Sequence, residues 1–297
     1  MKIKKELVSL YSTINYLIYK TKNKFHILND EETITEIIKN KKSISRFGDG
    51  EFKWVLGVKQ NSFQSENEEL TRRLKEVLMS NVENLLVCIP RSLNTLDGLI
   101  KNTKIFWKNF VRWHGNDILP YLDKKTYGNT NFTRWYLEHE NKDEEVMNKK
   151  LTNLKKIWDK RDIIIVEGFD TKMGVGNDLF KNSSSIKRIL VPATDAFSIY
   201  EEILEGVKKV SKDKLILLAI GPTATVLAYD LSKLGYQALD LGHLDIEYEW
   251  FLNKATTKIA IKGKHVNEVN NKKIIGSLND KNYEKSIIAK LGERDAN

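Results

Sequence analysis

Short apolar runs alternate with segments of helical periodicity along most of this chain, from Ser43 to Leu241. Apolar runs of this length, without polar alternation, are typical of strands that are buried on both faces. Such strands separated by helices indicate a parallel sheet covered by helices on both sides. We therefore predict an α/β fold with strands at Ile44 to Phe47, Leu85 to Ile89, Ile163 to Val166, Arg188 to Val191, Leu215 to Ile220 and Gln237 to Leu241.

Three parts of the chain fall outside this alternation. Residues 1–40 form a helical extension, with one helix over Leu7 to Tyr19 and another beginning near Asn29, since asparagine is a good N-cap. Residues 93–141 are rich in aromatic side chains, and we predict a helical insertion that walls one side of a site, with an ordinary core satellite as the alternative. The main domain covers residues 41–270, and a polar tail, 271–297, carries a weak helix at Tyr283 to Leu291.

Composition excludes several classes of protein. The single cysteine, Cys88, lies in an apolar run, which excludes a disulfide framework and a cysteine-based zinc site. The formal net charge of +9 comes from scattered lysines rather than a basic stripe, so we expect no nucleic-acid partner. No apolar stretch approaches the roughly 20 residues that span a bilayer, and we expect a cytoplasmic protein. The lysine-flanked first helix would allow peripheral association with the inner face of a membrane or with a complex, although most such helices pack on their own protein.

Two carboxylates, Asp49 and Glu51, lie two residues apart on a glycine-flanked turn straight after the first predicted strand. Carboxylates so spaced can converge on Mg²⁺ or Mn²⁺, which keeps open positions for substrate phosphates. We assign the adjoining Phe47 and Gly48 to the nucleotide-binding residues. The alternative is a plain surface turn, because Asp-Gly favours turns in any context.

Two glycine-containing segments follow later strands, where ligands bind in parallel α/β sheets. In the first, Gly221-Pro222-Thr223-Ala224-Thr225, the backbone N–H groups and the hydroxyls of Thr223 and Thr225 would hold a diphosphate at a helix N-terminus. A plain helix cap is the alternative. In the second, Gly174 and Gly176 indicate a close-approach loop, from which Asn177 or Asp178 would bind a base or ribose.

The segment from Gly242 to Trp250 has the densest group of polar residues, with His243, Asp245, Glu247 and Glu249 at alternate positions. Such a set suits metal ligation, ribose binding or general-base catalysis. We assign His243 to the metal and consider Asp245 and Glu247 as candidate bases. An exposed edge strand with no function has the same alternation.

Four blocks of sequence, in order, resemble the GT-D fold glycosyltransferases, a family first known as a domain of unknown function and associated with bacterial glycosylation of serine-rich repeat adhesins. The resemblance runs from about Ser43 to Glu268 and rests on Arg46 to Glu51, Gly174 to Phe180, Gly221 to Leu231 and Gly242 to Trp250. It implies a Rossmann-like, doubly wound domain that binds a UDP-sugar, with Asp49 and Glu51 as an Asp-x-Glu motif normally filled by Mn²⁺. One departure is Lys172, where an arginine with a planar fork for phosphate is expected.

These observations together lead us to expect a metal-dependent transferase, with Mn²⁺ or Mg²⁺ as cofactor. It would move a hexose, glucose by preference, from a UDP-sugar donor to a glycan or glycoprotein acceptor. The alternatives are a metal-dependent phosphoesterase or nuclease that uses the same carboxylates, and a non-enzymatic nucleotide-binding scaffold of a glycosylation complex.

Overall fold

The computed structural model describes residues 2–60, 64–122, 126–266, 269, 276 and 278–292, with side chains from residue 8 onward. The helices within these residues are α1 (Lys2–Lys22), α2 (Asp30–Lys39), α3 (Asp49–Val55), α4 (Glu68–Leu78), α5 (Lys101–Ile118), α6 (Glu144–Lys155), α7 (Tyr200–Lys208), α8 (Pro222–Lys233), α9 (Leu244–Leu252) and α10 (Lys281–Ser286). The strands are β1 (His26–Ile27), β2 (Ser43–Arg46), β3 (Leu85–Ile89), β4 (Thr126–Asn129), β5 (Asp162–Gly168), β6 (Ser185–Val191), β7 (Leu215–Ala219), β8 (Gln237–Asp240) and β9 (Ile287–Lys290).

The described strands form one parallel sheet in the order β1-β4-β3-β2-β8-β7-β5-β6-β9. The chain moves outward from β2 through β3 to β4, and it returns to the other side of β2 through β7 and β8. The central pair is therefore β2 and β8, joined at Ile44 and Leu239. Neighbouring strands whose connections run in opposite directions leave a crevice at their carboxyl ends, where ligands bind in such folds.

Two apolar cores cover the faces of the sheet. One contains Phe52 of α3, Leu74 of α4 and Leu227 of α8, whereas the other contains Trp158, Phe180 and Trp250. The strands contribute to both cores, since successive side chains of β5 alternate between Ile163 and Ile165 in one and Ile164 and Val166 in the other. Burial on both faces explains why these strands are apolar throughout.

All six strands predicted from apolar runs are present, and the predicted Rossmann-like, doubly wound fold is confirmed. The second helix begins where predicted, because Asn29 caps α2 and Glu32 completes a capping box. The tail prediction is wrong in its second half, since α10 ends at Ser286 and β9 then joins β6. The predicted insertion, residues 93–141, is helical in α5. It also contains β4, however, which pairs with β3 and belongs to the sheet. The domain boundaries stay predictions.

Helix α1 packs along α5. Gly115 lets the helices approach closely, since a β-carbon there would lie 2.9 Å from the Tyr19 ring. Tyr16 donates a hydrogen bond from its hydroxyl to the Ser92 carbonyl oxygen at 2.9 Å, and Ser12 donates to Asn109 at 2.9 Å. The first helix therefore packs on the protein with one face. None of the helices in the described residues is long and apolar enough to cross a membrane.

Candidate active site

A cavity of about 830 Å³ opens at the carboxyl ends of the central strands. The residues after β2, β5, β7 and β8 line its floor, and the first half of α5 forms part of its wall. Cavities of this size enclose nucleotide-sized ligands. Among the predicted site residues, those that line it are Gly48, Asp49, Glu51, Gly221, His243 and Asp245.

Asp49 and Glu51 lie in the first turn of α3, directly after β2. The segment is a strand-to-helix junction with Gly48 as the N-cap, rather than a free turn. Glu51 accepts a hydrogen bond from the Gly48 backbone N–H at 2.8 Å, so its carboxylate is held at the start of the helix. Asp49 pairs with Lys53 at 2.7 Å, one turn further along. Phe47, in contrast, is fully buried in the core.

The Glu51 carboxyl carries an unfavourable charge in this environment. Removal from water raises its pKa, and the nearby carboxylates of Asp240 and Asp49 raise it further, although the hydrogen bond from Gly48 opposes them. A bound cation would offset this mutual repulsion. The structure thus provides two carboxylates at the cavity, Asp49 paired with Lys53 and Glu51 in surroundings that disfavour its charge.

His243 does not complete a three-residue metal site with these carboxylates. Across the described ranges, no three or more His, Cys, Asp or Glu side chains form a group that could hold a metal ion. The His243 Nδ1 atom lies 3.3 Å from Nη2 of Arg134, which also lines the cavity. The metal assignments of Asp49, Glu51 and His243 stay predictions.

Arg46 and Asp240 form a buried ion pair across the central strands β2 and β8. The Asp240 Oδ1 atom accepts from Nη2 of Arg46 at 3.1 Å and from Nε at 3.3 Å. Burial raises the pKa of Asp240, and the guanidinium opposes this rise. Gly242 packs so closely that a β-carbon would lie 1.9 Å from Nη2 of Arg46. Any larger residue at position 242 would therefore displace the ion pair at the cavity floor.

The segment Gly221 to Thr225 is divided between the cavity and the interior. Gly221 lines the cavity with φ of +62° and leads into α8, where Pro222 is the first residue. Thr223 is fully buried, and its hydroxyl faces Oε1 of Gln64 at 3.5 Å. Thr225 is also buried and donates to either the Arg46 carbonyl oxygen at 3.0 Å or Asp240 at 3.1 Å. The structure therefore gives the two hydroxyls interior partners, and Gly221 remains at the cavity.

The segment Gly174 to Asp178 lies behind the cavity instead of lining it. Gly174 is in contact with Phe180, where a β-carbon would clash at 2.4 Å, and Gly176 faces Leu278. Asn177 donates to Asp245 at 2.8 Å and to Glu249 at 2.7 Å, so it supports α9. Asp178 accepts from Lys155 at 2.9 Å and from Tyr248. Lys172, the departure noted in the sequence, donates to the Leu278 carbonyl oxygen at 3.1 Å.

The segment after β8 is a helix, α9, so its acidic residues point in different directions instead of alternating along a strand. Asp245 lines the cavity and accepts from the buried Lys264 ammonium at 2.7 Å. Burial raises the pKa of Asp245, and Lys264 opposes this rise. Lys264 also pairs with Glu249 at 2.8 Å. Both carboxylates are therefore held by one cation.

Glu247 points into the protein. It accepts from the backbone N–H of Leu137 at 2.9 Å and of Tyr136 at 3.2 Å. Its second oxygen, Oε1, is buried and has no hydrogen-bond partner among the described residues. Burial raises the pKa of Glu247 to about 7. Because it does not line the cavity, Glu247 is not placed to reach an acceptor.

Several residues that line the cavity were not predicted individually. The ion pair of Arg46 and Asp240 has no short-range sequence signal, because its partners lie on separate strands. Phe106 and Trp107 of α5 do belong to the predicted aromatic wall, whereas Phe132 and Trp135 are fully buried in the core. The last group comes from an irregular segment after α9, which has no periodicity to identify it: Thr256, Thr257, Lys258 and His265.

In parallel α/β sheets, ligands bind at the carboxyl ends of the central strands, which is where this cavity lies. The family model described as the glycosyltransferase GT-D fold matches residues 44–269. The chain belongs to this GT-D family of glycosyltransferases.

Curated relatives and solved structures agree with this assignment. The chain is 36% identical over 268 residues to the probable glycosyl transferase Gly of Streptococcus gordonii, covering 90% of this chain and 39% of that protein. It is 36% identical over 262 residues to the glycosyltransferase GlyD of Streptococcus pneumoniae serotype 4, covering 88% of this chain and 32% of that protein. This chain thus spans 32 to 39% of the length of these relatives.

The similar solved structures cover almost the same length as this chain. A structure described as a new glycosyltransferase from Streptococcus sanguinis has a TM-score of 0.84 at 36% identity and covers 90% of this chain and 99% of that one. A second, described as a domain of unknown function with a distinct glycosyltransferase fold, has a TM-score of 0.87 at 35% identity and covers 94% and 99%.

Proposed function

We propose that this chain is a metal-dependent glycosyltransferase that moves a hexose, glucose by preference, from a UDP-sugar to a hydroxyl group of a glycan or glycoprotein acceptor. The observation that carries the proposal is the cavity where Asp49 and Glu51 face a floor made by four strand ends. Its volume suits a nucleotide-sugar, and it has charged and aromatic parts within the same space.

The metal would be held by Asp49 and Glu51, since Mn²⁺ and Mg²⁺ bind one or two carboxylates and take their remaining ligands from phosphates and water. The raised pKa of Glu51 fits this proposal, because burial and then the nearby carboxylates disfavour its charge, and a bound cation would stabilise the charged form. When bound, the cation would supply positive charge to the leaving diphosphate. The N-terminus of α8, next to Gly221, would also stabilise the diphosphate, because a helix N-terminus carries a partial positive charge.

The aromatic wall suits the sugar. Trp107 and Phe106 line the cavity from α5, and Phe106 is partly open to solvent. The C–H faces of a pyranose pack on such rings. Asn102 and Thr103, on the first turn of the same helix, would provide hydrogen bonds to sugar hydroxyls. We assign the donor hexose or the acceptor sugar to this side of the cavity.

Asp245 is the candidate base that remains for an inverting reaction. It lines the cavity, whereas Glu247 faces the backbone of Tyr136 and Leu137. Lys264 and Asn177 orient the Asp245 carboxylate. A base with a fixed orientation can take the proton of an acceptor hydroxyl as the new glycosidic bond forms.

The test measures UDP release from UDP-glucose with Mn²⁺, with and without a panel of hexose and N-acetylhexosamine glycosides as acceptors. The proposal expects turnover that depends on the acceptor and stops in excess EDTA. Hydrolysis at the same rate without an acceptor would indicate a phosphoesterase. Binding of UDP without turnover on any acceptor would indicate a nucleotide-binding scaffold.

A further inference from the structure

Helix α1 has apolar side chains on two opposite faces. The face that contains Tyr16 and Tyr19 packs against α5 and is buried. At 3.6 residues per turn, a second stripe lies on the far side of the helix axis. This outer stripe consists of Leu10, Tyr11, Ile14, Leu17 and Ile18, all of which are exposed. A helix that only packed on its own protein would have polar residues there.

Helix α5 extends the outer stripe with a tryptophan. Trp113 is 65% exposed, and the Arg112 guanidinium carbon lies 4.7 Å from the ring centroids of both Trp113 and Tyr11. Arg112 therefore bridges the two helices beside the stripe. We call the five stripe residues together with Trp113 the α1 ridge. Monomeric soluble proteins rarely expose a continuous apolar surface without a binding function.

The lysines at both ends of α1 indicate what kind of surface the ridge would bind. Lys20 and Lys22 are exposed at the end of α1, Lys24 follows, and the sequence has further lysines at positions 2, 4 and 5 before the ridge. Helix α1 contains one acidic residue, Glu6. If a second copy packed on the ridge, the lysines of one α1 would lie near the lysines of the other, whether the two helices ran parallel or antiparallel. An anionic surface complements both ends of the helix.

We propose that the α1 ridge binds the surface of a membrane that contains anionic lipids. The apolar stripe would enter the boundary between headgroups and acyl chains, and the lysines would contact lipid phosphates. Trp113 and Tyr11 are residue types that favour this interface, because their rings are apolar with a polar edge. The proposal does not depend on the reaction in the cavity, since none of the ridge residues lines it.

The test is co-sedimentation of the whole chain with vesicles of phosphatidylcholine alone or mixed with phosphatidylglycerol, at low and high salt. Binding is expected only to the mixed vesicles and should weaken at high salt. Ile14→Asp and Leu17→Asp, at sites that are 46% and 56% exposed, should each weaken binding by at least about tenfold without changing the melting temperature.

Val146→Asp is the matched control, because it places the same charge at an exposed apolar position near the start of a different helix, α6. It should bind vesicles as the wild type does. Failure of the wild type to bind mixed vesicles would overturn the proposal. Binding by Ile14→Asp and Leu17→Asp as strong as that of the wild type would also overturn it. So would light scattering that shows a dimer in the wild type and a monomer in both ridge variants, because the ridge would then be an interface between copies.

Discussion

The segments that follow the neighbouring strands β2 and β8 each have carboxylates two residues apart, but only the segment after β2 directs both to the cavity. Residues two apart on a helix lie about 200° apart around its axis. Glu51 nevertheless stays at the cavity, because it reaches back to the Gly48 N–H. Glu247 instead follows the helix into the protein and binds the backbone of Leu137.

The difference shows that the partner of a carboxylate decides whether it is available to a ligand. After β8, Lys264 neutralises Asp245 and Glu249, and backbone N–H groups hold Glu247. After β2, Lys53 pairs with Asp49, whereas the buried Glu51 accepts from the Gly48 N–H and lies near the further carboxylate of Asp240. We therefore propose the segment after β2 as the cation site, and the segment after β8 contributes Asp245 to the cavity.

The largest effect is expected from Glu51→Gln. Glutamine keeps the hydrogen bond to Gly48 but removes the charge, so transfer should fall by about 10³-fold or more, and Mn²⁺-dependent UDP binding should weaken. The melting temperature should stay within a few degrees. The measurements are turnover and calorimetric titration of UDP with and without Mn²⁺.

The control for this variant is Glu32→Gln, which changes the same capping-box position at the start of α2, away from the cavity. It should keep wild-type turnover. If Glu51→Gln retained turnover, or if the wild type worked in excess EDTA, the segment after β2 would have no special role and the comparison would fail.

Asp245→Asn is expected to have the next largest effect. Loss of a base that acts on the acceptor should reduce transfer by about 100-fold and leave UDP affinity unchanged. Parallel measurement of turnover and UDP binding separates this result from loss of a donor ligand. A matched fall in UDP affinity would reassign Asp245 to donor binding, and unchanged transfer would make the whole segment after β8 structural.

A smaller effect concerns stability, through Glu247→Gln. The folded-state pKa of Glu247 is raised from 4.5 to about 7, so the stabilising contribution of its protonated form is complete below the unfolded pKa and is lost as pH rises through 7. Glutamine stays neutral throughout. Between about pH 5 and 8 the wild type should therefore lose roughly 2 to 3 kcal/mol of unfolding free energy relative to Glu247→Gln. Urea denaturation of both proteins at the two pH values measures this, and parallel pH profiles would contradict it.

The smallest effect is expected from Thr223→Val. Its hydroxyl faces Gln64 in the interior, so UDP affinity should change by less than about twofold. Gly221→Ala, two residues earlier, should weaken UDP binding, because alanine is strained at φ of +62° beside the cavity. Isothermal titration of both variants compares them directly, and a clear loss in Thr223→Val would return its hydroxyl to the phosphate site.

Most of the sheet could be predicted from local patterns because its strands are buried on both faces. β1 and β4 were missed because neither is an apolar run, and β9 was missed because its residues were assigned to a weak helix over Tyr283 to Leu291. In β4, Gly128 is required for close approach, since a β-carbon would lie 2.4 Å from Cys88 Sγ on β3. Neither the need for glycine nor the pairing has a signal in the sequence of β4 alone.

The sequence by itself determined the class of fold, the place of Asp49 and Glu51 directly after the first predicted strand, and the presence of acidic residues after β8. Each of these follows from the spacing of residues that are close along the chain. Only the tertiary structure decided which polar side chains face the cavity. It joined Arg46 to Asp240 across two strands, placed Lys264 on Asp245, and turned Thr223 and Glu247 inward. Those outcomes depend on partners that are distant in sequence, and burial without a partner would have cost each group several kcal/mol, on the order of its lost hydration.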